Sequence, residues 1–277
     1  MSSLTGKSVL VLGLGESGLA MARWCALRGA RLRVADDRAE PPGLAVLREE
    51  APLAEIVTGS FGAEVLDGIE LVAISPGLDP RTGVCAEAAR RGLPLTGEMS
   101  LLAQALDELG VRERTRILAI TGTNGKTTTT ALTAALAQSA GLDAVAAGNI
   151  GQTALGVLMD RLEIGVELPE CWVLELSSFQ IETMHGLAAD AATVLNVTDD
   201  HLDRYLDLDH YARTKAGIFE GEGAQVLNRD DTRVMAMALP ERVRVGFGLG
   251  APARAGDYGL IEHAGRTWLV RGANPLI

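Results

Sequence analysis

Short apolar runs alternate with segments of helical period along most of the chain. The runs at 9–12, 32–35, 71–74, 93–95, 117–120, 144–147, 171–176, 192–197, 224–227 and 243–246 are rich in Val, Leu, Ala and Ile and read as buried strands. Helical segments are expected at 19–27, 83–91, 98–109, 126–137, 208–219 and 232–239. The stretch 258–270 turns at Ala264-Gly265 and reads as a hairpin. In the helix from Lys126, Leu132 and Leu136 share one face, the apolar stripe of an amphipathic helix. Strands and helices in this order predict an α/β fold with mostly parallel sheet.

Two of the strand-to-helix junctions are glycine turns. The first is Gly13-Leu14-Gly15-Glu16-Ser17-Gly18, and the strand after its helix ends at Asp36 and Asp37. This is GxGxxG with an acidic residue about 20 positions on, the dinucleotide fingerprint. It predicts a Rossmann-like unit, and its geometry suits any nucleotide diphosphate, a nicotinamide cofactor being one reading. Asp36 is placed to accept from a ribose hydroxyl or a base N–H. The alternative for Asp36 and Asp37 is a solvated turn, expected for one of the two. Ser75-Pro76-Gly77 ends the strand at 71–74 where open α/β folds bind ligands, unless it is an ordinary Pro-Gly turn.

The second turn runs through Gly122, Thr123, Asn124 and Gly125 into Lys126 and the helix that follows. Here glycines let backbone N–H groups converge, and the helix N-terminus adds partial positive charge. Lys126 is expected on the β- and γ-phosphates of a nucleotide, and the Thr127 hydroxyl on Mg²⁺. The loop, TGTNGKTT, is shorter than the common phosphate loop, whose first Gly would fall on Ile120. Farther on, Asn149 lies between glycines and reads as a ligand amide or a turn residue. Glu175 stands inside an apolar strand, where a carboxylate is costly unless paired or bound to metal; a Mg²⁺ partner and an ion pair are the two readings. His201 lies in the polar run that follows the strand at 192–197 and reads as a ligand. Lys215, on the helix at 208–219, reads by pattern alone as solvated.

Composition narrows the class. The length of 277 residues suggests two domains, 1–97 and 98–277, joined through the helix at 98–109 and the segment VRERTR. Hydrophobic residues make up 47% and aromatics only 4%, so the core is built from aliphatic side chains. The net charge of −11 argues against nucleic acid and anionic membrane as general partners. The three cysteines form no CxxC and sit in apolar contexts, as expected for buried free thiols in a reducing cytoplasm. No apolar run approaches spanning length and no cleavage site is seen, so neither membrane insertion nor secretion is expected.

GLGESG at 13–18, SPG at 75–77, ITGTNGKTT at 120–128, GNIG at 148–151, LELSSFQ at 174–180, NVTDDHLDRY at 196–205 and YARTK at 211–215 are weak signals singly. In this order and spacing the chain resembles the Mur ligases, the ATP-dependent amide ligases of peptidoglycan precursor synthesis, over essentially its whole length. The resemblance implies an N-terminal Rossmann-like domain that binds UDP rather than NAD, then a P-loop-type central ATPase domain ending in a small β-hairpin. Gly122, Thr123, Asn124, Gly125, Lys126, Thr127 and Thr128 would bind ATP. Thr127, Glu175, His201 and Lys215 would serve two Mg²⁺ ions, and Lys215 matches the family's lysine that CO₂ converts to a carbamate. Gly15, Glu16, Ser17, Asp36, Asp37, Gly77, Asn149, Ser177, Gln180 and His201 would meet the UDP-linked substrate, with Lys126, His201 and Lys215 as the catalytic group. The partners implied are UDP-N-acetylmuramoyl-L-alanine, ATP and glutamate, and a monomer is expected. The family carries a third domain for the amino acid and the sequence ends before it, so binding without completed ligation is expected. The rivals are another Mur ligase, a folylpolyglutamate synthetase-like ligase, an NAD-dependent oxidoreductase and a non-catalytic nucleotide-binding module.

Overall fold

The computed structural model describes residues 3–277. The chain divides into two compact units. The first comprises the chain up to Arg114 together with Ala147–Leu168 and Phe179–Leu187; the second comprises Thr115–Ala146, Pro169–Ser178 and Ala188–Ile277. The helix expected to link two domains therefore belongs to the first unit, as do two later segments.

The first unit opens with β1 (Ser8–Leu12), α1 (Glu16–Leu27), β2 (Arg31–Asp36), α2 (Leu44–Glu50), β3 (Glu55–Thr58), β4 (Leu71–Ile74), α3 (Gly83–Arg90), β5 (Leu95–Thr96) and α4 (Glu98–Glu108). Its sheet has the order β3-β2-β1-β4-β5, with every pairing parallel. β1 is the strand from which the order runs out both ways, so the turn after it lies at the topological switch point. Val9–Leu12 and all of β4 are buried, the near-continuous apolar signature of a doubly covered parallel strand. Leu10, Leu12, Val72 and Ile74 pack with Val65, Leu66, Cys85 and Ala88 in one core cluster. α1 packs on β1 and β2 and also meets α4.

The rest of the chain contributes β6 (Arg116–Thr121), α5 (Lys126–Ser139), β7 (Ala144–Gly148), α6 (Ala154–Ile164), β8 (Cys171–Glu175), α7 (Ser178–Ile181), β9 (Ala191–Val194), α8 (Leu208–Ala216), β10 (Ala224–Asn228), α9 (Thr232–Ala236), β11 (Arg244–Phe247), β12 (Tyr258–His263), β13 (Arg266–Arg271) and β14 (Asn274–Pro275). The second sheet has the order β11-β10-β9-β6-β8-β7, so β6 is again a switch-point strand. The expected hairpin is β12 and β13, turning where Ala264 (φ 53°) and Gly265 (φ 72°) both have positive φ. β14 adds a short third strand to it.

Several boundaries differ from expectation. The strand expected at 192–197 stops at Val194, because Asn196 and Thr198 bond to the turn after β6 and Val197 to Asp231. The helix expected at 232–239 ends at Ala236, and the one at 208–219 finishes in a 3₁₀ turn at Gly217–Phe219. The strand expected at 93–95 lies at Leu95–Thr96. Leu44–Glu50, Glu55–Thr58 and Ala154–Ile164 are regular elements that the apolar pattern leaves unassigned. On α5 the shared face of Leu132 and Leu136 is the exposed one, at 58% and 62%. The helix seats itself through Thr130 and Ala134 instead, because small side chains let it lie close to the sheet. All three cysteines are buried free thiols.

Candidate functional site

Each glycine turn builds its own site. In the first unit, Gly18 sits in the first turn of α1, and a Cβ there would lie 1.9 Å from the Gly13 carbonyl oxygen. No other residue fits, so α1 starts close against the strand end and aims its N-terminus outward. Asp36, at the end of β2, fixes this turn: its Oδ2 accepts the Leu14 amide at 2.7 Å. Arg38 grips the same carboxylate, Nε to Oδ1 at 2.8 Å and Nη2 to Oδ2 at 2.6 Å. That hydrogen bond, helped by the Leu14 amide, holds the Asp36 carboxyl down at about 2 against the opposing effect of burial. Both oxygens of Asp36 are thus engaged within the protein, and Asp37 is the exposed member of the pair.

A cavity of about 780 Å³ opens over this turn. Gly15, Glu16, Ser17, Asp36, Asp37, Gly77, Asn149 and Gln180, all expected at the substrate site, line it. Asn149 and Gln180 reach it because their segments belong to the first unit. Arg38 lines it too, and sequence reasoning missed it; the signal was a basic residue just after the acidic pair at the strand end. Ser177 and His201 belong to the second unit.

In the second unit, β6 leads into a turn with Gly122 (φ 153°) and Gly125 (φ 81°), and Gly125 is the N-cap of α5. That cap offers no side-chain acceptor to the first helix amides. Uncapped amides, exposed Thr127 and Thr128 hydroxyls and a lysine at the first helical position fit a polyphosphate. Lys126 Nζ donates to the carbonyls of Gly122 (3.0 Å) and Thr123 (2.9 Å). Lys215 is not solvated: it is 1% exposed, and its Nζ lies 3.1 Å from the same Gly122 carbonyl oxygen and 3.3 Å from Thr121 Oγ1. It also lies 4.5 Å from the Tyr211 ring centroid. Burial, and next the positive charge of Lys126, push Lys215 down to about 7, with Asp200 opposing. Pattern reading put this lysine in solvent because one helical turn does not reveal what packs on it.

Glu175, the buried last residue of β8, stands in register with Ile120 on β6, and the Thr121 hydroxyl donates to the next carbonyl, Leu176, at 2.7 Å. This places the carboxylate on the adjacent strand, level with the start of the second glycine turn, a position compatible with an ion held beside that turn. His201 has φ 51°, in the left-handed region, and its Nε2 lies 3.6 Å from Asp200 Oδ2. Among the described residues no group of three or more His, Cys, Asp or Glu side chains is gathered as a metal cluster. The residues expected at an ion are Thr127, Glu175, His201 and Lys215, of which only Glu175 and His201 are of those types.

Asn196 is a second residue that sequence reasoning passed over as a role. Its Oδ1 accepts the Asn124 amide at 2.8 Å, and its Nδ2 donates to the Asn124 carbonyl at 3.0 Å. The Thr123 hydroxyl accepts the Thr198 amide at 3.0 Å. The segment after β9 therefore clamps the phosphate turn. Its signal was the polar run in NVTDD directly after a strand.

A family model described as Mur ligase middle domain matches residues 120–265. This chain belongs to the Mur ligase family. A second model, described as Mur ligase MurD-like, N-terminal domain, matches residues 7–97 of this Mur ligase chain. The chain is 78% identical over 277 residues to a UDP-N-acetylmuramoylalanine--D-glutamate ligase of Aromatoleum aromaticum, covering 100% of this chain and 59% of that protein. It is 47% identical to the protein of the same name from Nitrosospira multiformis, covering 99% of this chain and 58% of that one. The chain thus spans less than two thirds of the length of these relatives. Among solved structures, the UDP-N-acetylmuramate:L-alanyl-gamma-D-glutamyl-meso-diaminopimelate ligase of Neisseria meningitides shares the fold. Its TM-score is 0.60 at 18% identity, with 98% of this chain and 86% of that chain covered.

Proposed function

We propose that this Mur ligase chain supplies the UDP-substrate and ATP sites of an ADP-forming carboxylate–amine ligase that joins D-glutamate to UDP-N-acetylmuramoyl-L-alanine. What carries this reading is the convergence of two lysine nitrogens, Lys126 and Lys215, on the Gly122 carbonyl in the second glycine turn. Two amines folded onto one loop carbonyl suit a loop built to receive an anion, and a hydride-transferring enzyme has no use for it. The names of the relatives supply the substrate and the D-glutamate.

In this reading the cavity over the first glycine turn takes the UDP end, with the diphosphate on the N-terminus of α1. Asp36 and Arg38 hold the turn that receives it. The amides of 122–128 take the ATP phosphates, and Lys126 swings from its loop carbonyls to the β- and γ-oxygens. Thr127, Glu175 and His201 would hold Mg²⁺, which when bound neutralises charge on the transferred phosphoryl group. The L-alanyl carboxylate attacks the γ-phosphorus and ADP leaves; the amine of glutamate then displaces phosphate from the acyl phosphate, giving the amide and losing a proton. Lys215 is neutral for much of the time near pH 7 and is the amine on which a CO₂-derived carbamate would form, adding a carboxylate to the metal site. We place the reaction in the cytoplasm and expect a monomeric enzyme, with ligation completed only by a protein of the relatives' full length. Among the described residues no helix is long and apolar enough to cross a membrane.

The test is ADP release by a chain of the relatives' full length, given UDP-N-acetylmuramoyl-L-alanine, ATP, Mg²⁺ and D-glutamate. Release should require all of them, and Lys126→Ala should lower it by at least roughly a hundredfold. ADP release at the wild-type rate from Lys126→Ala would sink the assignment.

A further inference from the structure

The turn that opens α4 lies outside every motif singled out above, yet it ties three separate stretches of the first unit together. Glu98, its first residue, is 2% exposed. Its Oε1 accepts the Leu155 amide at 3.2 Å. The Ser17 hydroxyl and the Ala154 amide also face the carboxylate and favour its charged form, while its Oε2 is buried with no partner at hydrogen-bond distance. Two residues on, the Ser100 hydroxyl donates to the Thr183 carbonyl at 3.0 Å and accepts the His185 amide at 2.8 Å.

Each tied stretch presents a residue to the first-unit cavity. Ser17 lies in the first turn of α1 and lines that cavity. Ala154 and Leu155 open α6 immediately after Asn149, Gly151 and Thr153, which line it as well. Thr183 and His185 follow Gln180, a third lining residue. The side chain of the α6 N-cap, Thr153, accepts only from Gly156. Glu98 therefore provides, from another element, the acceptor for the Leu155 amide in the first turn of α6. A carboxylate at that helix end is also favoured by the helix dipole.

We propose that Glu98 is a positioning residue for the UDP-linked ligand: one carboxylate fixes the first glycine turn against the N-terminus of α6 and so sets the width of the cavity, given the ligand reading proposed above. Burial raises the Glu98 carboxyl to about 7, so charged and neutral forms are both populated near neutrality. The groups acting on it are the Ser17 hydroxyl and the two α6 amides, with no charged side chain among them. The titratable residues of the elements packed against it are Glu16, Arg23 and Cys25 on α1, Asp160, Arg161 and Glu163 on α6, and Glu182 and His185 on the third stretch. A diphosphate on the N-terminus of α1 would sit across Ser17 from this carboxyl and repel its charged form. Binding is then accompanied by proton uptake at Glu98, and affinity falls as pH rises through 7.

The experiment is calorimetric titration of the 277-residue chain with UDP-N-acetylmuramoyl-L-alanine, whose pyrophosphate is esterified at both ends and does not itself titrate between pH 6 and 8.5. Wild type should lose roughly threefold to tenfold in affinity across that range. At pH 7 its binding heat should vary with the ionisation enthalpy of the buffer, as proton uptake requires. Glu98→Ala should bind at least roughly fivefold more weakly at every pH. Glu98→Gln keeps an acceptor for the amides, so it should recover wild-type affinity at pH 6 while losing the pH slope and the buffer dependence. Wild-type affinity in Glu98→Ala, or an undiminished pH slope in Glu98→Gln, overturns the proposal while leaving the ligand reading standing. A wild-type chain that does not bind overturns both. Should Glu98→Ala fail to fold, wild type and Glu98→Gln decide, and a wild-type binding heat independent of buffer at pH 7 overturns the role of Glu98.

Discussion

Lys215 shows how one side chain acquires chemistry from its surroundings. Buried beside Lys126 and the Tyr211 ring, its amine is pushed down to about 7 from an ordinary 10.5. The unfolded chain then binds more protons than the folded one between those two values, so stability rises with pH across that window. Below about 7 the amine is protonated in both states and the slope disappears. Lys215→Met should flatten the rise, measured as urea midpoints from pH 7 to 10. A wild-type midpoint that stays level over that window would refute the buried-amine account. Asp36 is the opposite case. Its carboxyl is held down near 2 by Arg38, so it stays charged throughout the neutral range and keeps the first turn closed.

At the scale of elements, α5 departs most instructively from its pattern. Leu132 and Leu136 are exposed, and Thr130 and Ala134 face the sheet. Leu132→Ala should therefore change stability by no more than about 0.5 kcal/mol, as for other surface positions. Ala134→Leu should cost about 1–3 kcal/mol by overpacking against Ile120, Cys171 and Val173. Chemical denaturation of the two variants checks the pair, and the reverse ranking would mean that the helix is seated on its leucine face. The segment after β9 carries a related prediction. Asn196→Ala removes both side-chain bonds to Asn124, so it should weaken ATP binding roughly tenfold while shifting stability by about 1 kcal/mol. Titration with ATP and Mg²⁺ reads the first effect and thermal melting the second. ATP affinity unchanged in Asn196→Ala would remove the clamp from the account of the site.

At the scale of the whole molecule, two open parallel sheets each place a glycine turn at the switch strand, β1 in one and β6 in the other. Under the proposed function these two turns serve two phosphate-bearing ligands. UDP-N-acetylmuramoyl-L-alanine at 100 times its Kd should stabilise the chain by about 2.7 kcal/mol, and NADH should leave it unchanged. Stabilisation by NADH alone would mean that the literal GxGxxG fingerprint had the cofactor right.

Sequence by itself determined most of the strands and both glycine turns, though not the elements at Leu44–Glu50, Glu55–Thr58 and Ala154–Ile164, because strand burial and turn chemistry are local properties. Leu71–Ile74 is apolar throughout and declares itself as a strand. Gly18 is dictated by a contact only five residues back, with the Gly13 carbonyl. The candidate residues of both turns were legible for the same reason, since a phosphate cradle is built from one continuous stretch. Tertiary structure alone decided which distant residues joined them. Asp36 bonds to an amide 22 residues away, Asn196 clamps a loop 72 residues away, and Glu98 bonds to an amide 57 residues away. Lys215 loses its solvent to elements that lie far from it in the chain. Apolar periodicity proposes which face of an element is buried, and on α5 the packing chose the other one. It does not record which polar atom meets which, since a hydrogen bond between distant segments depends on both backbones being in place.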